Sequence, residues 1–154
     1  MSTLVVYESY FGNTRTIAEA VAGELDVKAI PVEKAPAELP ADLTLLVVGA
    51  PTHNMGMPNP TSRDFAAEAG AKRTGAGLAE WIANLQPIEG LKVRAFDTAT
   101  STFQNSASAA AVAAFKKVGF TDVGSPEVFK VTGTQGPLVG GEEDRAKRWA
   151  TKLA

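Results

Sequence analysis

The stretch VVYESYFGNTRTIAEAV, Val5–Val21, begins as one kind of secondary structure and ends as another. Its start belongs to TLVVY (3–7), an almost wholly apolar run of the kind that forms a strand buried on both faces. Its end places Ile17 and Val21 on one helical stripe that continues to Leu25. Ala18 and Ala22 lie beside that stripe, and Arg15, Glu19 and Glu24 fall outside it. Between strand and helix stand Ser9, Tyr10, Phe11, Gly12, Asn13 and Thr14. A turn needs one or two small or polar residues, whereas Ser9, Gly12, Asn13 and Thr14 are four. Such a loop can aim several backbone N–H groups at one point, and the helix N-terminus adds partial positive charge there. The hydroxyls of Ser9 and Thr14 and the amide of Asn13 are further donors, and Gly12 lets the backbone approach closely. Together they could cradle one phosphate. The alternative is a plain capped turn, with Asn13 as N-cap and Gly12 at positive φ.

The same alternation continues along the chain. VKAIPV (27–32) reads as a second strand, and Pro31 places it at a sheet edge. Pro36 and Pro40 leave room for at most a short helix before LTLLVVG (43–49), the most apolar strand. A long loop follows to about Ser62. A helix is expected over 63–85, interrupted at RTGAG (73–77), with Leu78, Trp81, Ile82 and Leu85 at i, i+3, i+4 and i+7. LKVRAFDT (91–98) is a fourth strand, and Ser106–Val118 a helix with Ala107, Ala111, Phe115 and Val118 inward. A fifth strand is expected near 127–132. A last helix over 141–153 packs Ala146, Trp149, Ala150 and Leu153. Strands alternating with helices predict one α/β domain over 1–154, with a parallel sheet covered on both faces. Ligands of such sheets bind beyond the carboxyl ends of the strands. Loops 8–14, 50–62 and 98–105 are therefore the places to look.

Composition narrows the chemistry. The 154 residues hold no cysteine and one histidine, His53, so disulfides, thiolate chemistry and a histidine-rich metal site are excluded. A hydrophobic fraction of 45% and a charged fraction of 21% suit a globular domain, and a net charge of −2 disfavours nucleic acid as a partner. No stretch approaches the ~20 apolar residues of a membrane span. The N-terminus has no basic segment and only a four-residue apolar run, Leu4–Tyr7, so a secretory signal is not expected and the cytoplasm is.

Two motifs are missing from the first loop. It lacks G-x-G-x-x-G, which disfavours a dinucleotide, and it lacks G-x-x-x-x-G-K-[ST] or any lysine, which disfavours nucleoside triphosphate hydrolysis. A phosphate monoester remains. Here the chain resembles the flavodoxin-like family, whose members carry a strand, an S-x-T-G-x-T phosphate loop and a helix. The corresponding residues are Ser9-Tyr10-Phe11-Gly12-Asn13-Thr14, with Phe11 where the family has threonine. One phosphate hydroxyl is thus missing, although Phe11 keeps its N–H. The resemblance extends over nearly the whole chain through the order of elements. It implies a three-layer α/β/α sandwich with a five-stranded parallel sheet in the order 2-1-3-4-5, and FMN as cofactor.

The resemblance also implies roles for the other two loops. From GAPTHNMGMPNPTSR (49–63), Pro51, Thr52, His53, Asn54, Met55 and Gly56 would meet the ribityl chain and one face of the flavin ring. Met57 would lie against the ring or pack on nearby helices. From FDTATSTFQNSAS (96–108), Asp97, Thr98, Ala99, Thr100 and Ser101 would line the other side of the ring, and Phe103 would stack on it. Asp97 or Ser106 would otherwise cap the fourth helix. The segment 131–149 is assigned no ligand role, and Arg63, Lys72 and Arg73 are read as a solvated basic face, the alternative being that they meet an acidic redox partner or a cofactor phosphate.

The family resemblance implies a monomeric electron carrier between larger redox proteins, with the flavin supplying the chemistry. An FMN-dependent NAD(P)H:quinone oxidoreductase and a flavin-free interaction module are the alternatives.

Overall fold

The computed structural model describes residues 2–52, 57–71, 77–100, 106–133 and 135–153. The element order is β1 (Ser2–Tyr7), α1 (Asn13–Glu24), β2 (Ala29–Pro31), β3 (Leu43–Pro51), α2 (Pro60–Glu68), α3 (Leu78–Ala83), β4 (Lys92–Ala99), α4 (Ala107–Val118), β5 (Asp122–Val123), β6 (Glu127–Lys130) and α5 (Glu142–Thr151). One short 3-10 turn, Val32–Lys34, stands between β2 and β3, as the prolines there require.

All strands pair in parallel, in the order β2-β1-β3-β4 followed by β5 and β6, which share the outer edge of β4. The order 2-1-3-4-5 of the sequence reading is therefore observed, with its fifth strand in two pieces. β5 pairs with Lys92 and Val93, and β6 with Phe96 to Ala99. The gap has a physical cause: the Arg94 side chain lies across Gly124, where a Cβ would sit 2.6 Å from Arg94 Cδ. The Arg94 guanidinium there donates to the Asp122 carbonyl and carboxylate at 3.2 Å each. Pro126 follows and has no N–H for the ladder. Pro31 lies in the edge strand β2, where a missing N–H is tolerated.

Alternate residues of the strands feed two cores. Leu46 and Val48 of β3 face Leu78 and Ile82 of α3 and Ala107, Ala111 and Phe115 of α4. Leu45 and Val47 face Ile17 and Val21 of α1 and Ala146 and Ala150 of α5. Each large aliphatic side chain withdrawn from water in this way contributes roughly 1.5–3 kcal/mol. On the second face Phe96, Phe129 and Trp149 meet edge to face, with centroids 5.8–6.0 Å apart. Gly49 makes room for them, since a Cβ there would be 2.0 Å from the Phe96 ring.

Two local expectations are corrected. The second helix starts at Pro60, not 63. Asn59 accepts from Ser62 N–H and donates its own N–H to Ser62 Oγ, both at 2.9 Å, and proline occupies the first helical position. Gly12, rather than Asn13, is the N-cap of α1; its φ of 91° is the left-handed conformation that glycine adopts without strain.

Candidate functional site

The carboxyl ends of β1, β3 and β4 bring the three suspected loops to one end of the sheet. In the first loop, the segment between Tyr7 and Asn13 rises into α1 with no side-chain cap at Gly12. The N–H groups of a helix's first turn have no partner within the helix. Among the described residues, Ser9 Oγ is the side chain that meets one of them, accepting from Arg15 N–H at 3.3 Å. Gly12 is exposed, and among the described residues nothing lies within 4 Å of the place a Cβ would take. The result is an open helix N-terminus ringed by neutral donors from Ser9, Asn13 and Thr14. That donor set fits a phosphate ester. The nearby Arg15 side chain is turned outward and pairs with Glu19 at 2.6 Å.

The loops touch one another. Thr14 Oγ1 and Thr98 Oγ1 are 2.7 Å apart in a buried hydrogen bond that links the first loop to the end of β4. When Thr98 donates in it, the Thr14 proton stays free for a ligand. Thr52 N–H donates to the Thr98 carbonyl at 2.9 Å, and Thr52 Oγ1 accepts from Ala107 N–H at 3.0 Å. Pro51 ends β3 opposite Thr98. Thr100 is exposed, and Ser9, Tyr10, Phe11 and Asn13 are half-buried. His53, Asn54, Met55, Gly56, Ser101 and Phe103 lie outside the described residues, as do Lys72 and Arg73. Met57 packs against the core on the α3 and α4 side.

Asp97 is fully buried below this surface. Its Oδ2 accepts from Ser108 N–H at 2.8 Å and from Ser108 Oγ at 2.6 Å, at the first turn of α4. Among the described residues its Oδ1 has no hydrogen-bond partner. Burial raises its pKa above the ordinary aspartate range, against the opposing pull of the Ser108 donors. Ser106 is the N-cap of α4, accepting from Ala109 N–H at 3.3 Å.

Three features escaped the sequence reading. Arg63 is not on a solvated face. It is the largest fully buried side chain, paired with Glu8 at 3.0 Å and Glu80 at 2.7 Å. Glu8 is itself buried, accepting from Leu78 N–H at 2.8 Å and from Tyr10 OH. Burial pulls against the charge on Arg63, but its hydrogen bonds to Glu80 and Glu8 outweigh that and raise its pKa. The signal was Glu8 itself, a carboxylate continuing a strand buried on both faces, which demands a buried cation. The third feature is the segment after β6, which reaches the first loop. A Cβ on Gly136 would lie 2.5 Å from the Asn13 amide.

The family model described as flavodoxin matches residues 5–149. Among solved structures, a flavodoxin from the domain Archaea is 20% identical over 100% of this chain and 96% of its own, with a TM-score of 0.63. Oxidised Flavodoxin 1 from Bacillus cereus is 15% identical over 99% of this chain and 97% of its own, with a TM-score of 0.69. The rubredoxin oxygen:oxidoreductase of Desulfovibrio gigas is 15% identical over 99% of this chain but only 35% of its own, with a TM-score of 0.62. At these identities the likeness to solved structures is one of fold. Comparison with curated proteins returns no match.

Proposed function

Since the chain belongs to the flavodoxin family, we propose that it binds FMN and carries electrons between larger redox proteins in the cytoplasm, as a monomer. The observation that carries this reading is the N-terminus of α1 behind Ser9–Thr14, whose exposed N-cap Gly12 has no side chain and which is ringed by neutral donors. Ser9, Gly12, Asn13 and Thr14 would hold the phosphate, with the N–H groups of Tyr10 and Phe11 beside them. Pro51, Thr52, Asp97, Thr98 and Thr100 would border the rest of the cofactor, together with His53, Asn54, Met55, Gly56, Ser101 and Phe103. Bound there, FMN would supply the redox chemistry, and this chain would bind and orient it.

The test is the visible spectrum of the freshly purified protein, followed by titration of the flavin-free protein with FMN and riboflavin. A flavin spectrum and tighter binding of FMN than of riboflavin are expected. FMN affinity should fall short of that of a loop with a third hydroxyl, because Phe11 removes one donor, a loss of about 1–2 kcal/mol for a bond to a charged group. Equal affinity for the two flavins, or no binding of either, would overturn the reading. Oxidation of NAD(P)H with a quinone at many turnovers per second would replace the carrier with an enzyme.

A further inference from the structure

Arg63 spends a full guanidinium on the interior, and its partners come from three separate segments. Nε donates to Glu8 Oε2 at 3.0 Å and to Tyr10 OH at 3.1 Å. Nη1 and Nη2 donate to the two Glu80 oxygens at 3.1 and 2.7 Å, and Nη2 also reaches the Pro58 carbonyl at 3.2 Å. Glu8 and Tyr10 lie in the loop between β1 and α1, Pro58 leads into α2, and Glu80 lies in the first turn of α3. A buried ion cluster of this kind gains little stability over apolar packing, but it tolerates only one arrangement of the groups that meet in it. Arginine suits the place because its rigid fork serves several acceptors at once, which a lysine ammonium on a flexible stem does not.

The segment so fastened lies between two backbone anchors. Before it, Glu8 N–H donates to the Gly49 carbonyl at 2.9 Å. After it, Thr16 N–H and Oγ–H both reach the Gly12 carbonyl, at 3.0 and 2.9 Å. Between these two anchors the Tyr10 hydroxyl, held by Glu8 and Arg63, ties the loop to the interior. The shape of that loop decides whether its N–H groups converge, and a loop ordered in advance binds without paying the ordering entropy.

We propose that Arg63 is a positioning residue for the Ser9–Thr14 loop. Through Tyr10 and Glu8 it holds the loop in the phosphate-binding shape and so sets the preference for FMN over riboflavin. The proposal rests on the FMN reading above. Phosphate is what FMN has and riboflavin lacks, so freeing the loop weakens FMN and leaves riboflavin alone. Arg63 acts at one remove and touches no flavin atom.

The experiment titrates the flavin-free protein with FMN and with riboflavin, for the parent and for Tyr10→Phe, Glu80→Gln and Arg63→Lys. Amide hydrogen exchange of residues 10–14 is followed alongside. In Tyr10→Phe and Arg63→Lys the FMN dissociation constant should rise about tenfold, the equivalent of one hydrogen bond to a charged group, while that of riboflavin stays within about twofold. Glu80→Gln, which leaves the Arg63 bonds to Glu8 and Tyr10 in place, should shift FMN in the same direction by less. Exchange at 10–14 should accelerate while β4 and α4 keep their protection. Should Arg63→Lys fail to fold, Tyr10→Phe and Glu80→Gln decide the matter, since each alters one polar group outside the apolar core. A parent that prefers FMN, with variants that keep its FMN-to-riboflavin ratio or weaken both flavins in parallel, overturns the positioning role and leaves the FMN reading standing. A parent with no preference for FMN overturns both.

Discussion

Asp97 is a carboxyl group with one oxygen satisfied twice and the other, among the described residues, without a hydrogen-bond partner. Burial favours its protonated form, so the folded protein holds this proton to higher pH than the unfolded chain does. Between the two pKa values the native state binds more protons, and stability falls as pH rises through that window. The window opens at the ordinary aspartate value of about 3.9 and extends upward to the raised one. Asp97→Asn removes the titrating group and keeps an acceptor for Ser108. Urea unfolding from pH 4 to 8 should therefore show the variant gaining on the parent as pH rises. A constant difference between the two across that range would refute it. Glu80 and Glu142 act in the opposite sense. Their hydrogen bonds to Arg63 and Arg145 lower their pKa values, so their stabilisation is present above the ordinary glutamate range and lost as pH falls through the lowered values. At the same scale, Thr14→Ala and Ser9→Ala should each weaken FMN by about 1.5–3 kcal/mol, roughly tenfold to hundredfold, if each hydroxyl bonds the phosphate. Unchanged affinity by titration would reduce the loop to a turn.

Helices α1 and α3 carry two glycines with opposite prospects. Gly23 lies in the last turn of α1 with nothing within 4 Å of its missing Cβ. Gly23→Ala should stabilise the protein by about 0.5–1 kcal/mol, through helix propensity and a less free unfolded chain. Gly77 caps α3, where a Cβ would stand 2.0 Å from Arg63 Nη2 and 2.5 Å from Glu8 Oε1. Gly77→Ala should break the buried ion cluster and cost about 3 kcal/mol or more. Chemical denaturation of the two variants should move in opposite directions from the parent; equal shifts would contradict the geometry. These elements also show what was readable. The stripe Ile17–Val21 and the pattern Ala107–Ala111–Phe115 were legible because helical periodicity repeats over several turns. The start of α2 was legible too but passed over, since Asn-Pro-x-Ser is a capping signal independent of the apolar period. The break between β5 and β6 was not, because it arises from an arginine on a neighbouring strand.

For the molecule as a whole, charge is unevenly distributed. Segments 9–14, 49–62, 98–115 and 131–141, which follow β1, β3, β4 and β6 at the carboxyl end of the sheet, contain no Asp, Glu, Lys or Arg. Of the charges bordering them, Glu8, Arg63 and Asp97 are buried, and the exposed Arg15 is turned outward to pair with Glu19. Among the described residues, a phosphate at this end would meet neutral donors and a helix N-terminus. Salt screens ion pairs at an exposed site far more than hydrogen bonds, the Debye length shrinking from about 10 Å at 0.1 M to about 3 Å at 1 M. The FMN dissociation constant should accordingly change by less than about threefold between roughly 50 and 500 mM salt. A rise of tenfold or more would mean that a cation contacts the phosphate.

Sequence alone determined the layers of this protein and the location of its candidate site. Apolar runs such as Leu45–Val48 and stripes such as Ile17–Val21 are local patterns. Burial on two faces of a parallel sheet follows from them, and with it the end where ligands bind. The Ser9–Thr14 loop was equally local, since a strand, a glycine and a helix N-terminus lie within one short stretch. Tertiary structure decided how the interior charges pair. Glu8 and Arg63 are 55 positions apart in sequence, and nothing in the neighbourhood of Arg63 distinguishes it from a solvated base. Only the packing of α2 and α3 against the end of β1 withdraws both from water. Once withdrawn, each needs the other as its partner, because an unpaired buried charge is costly.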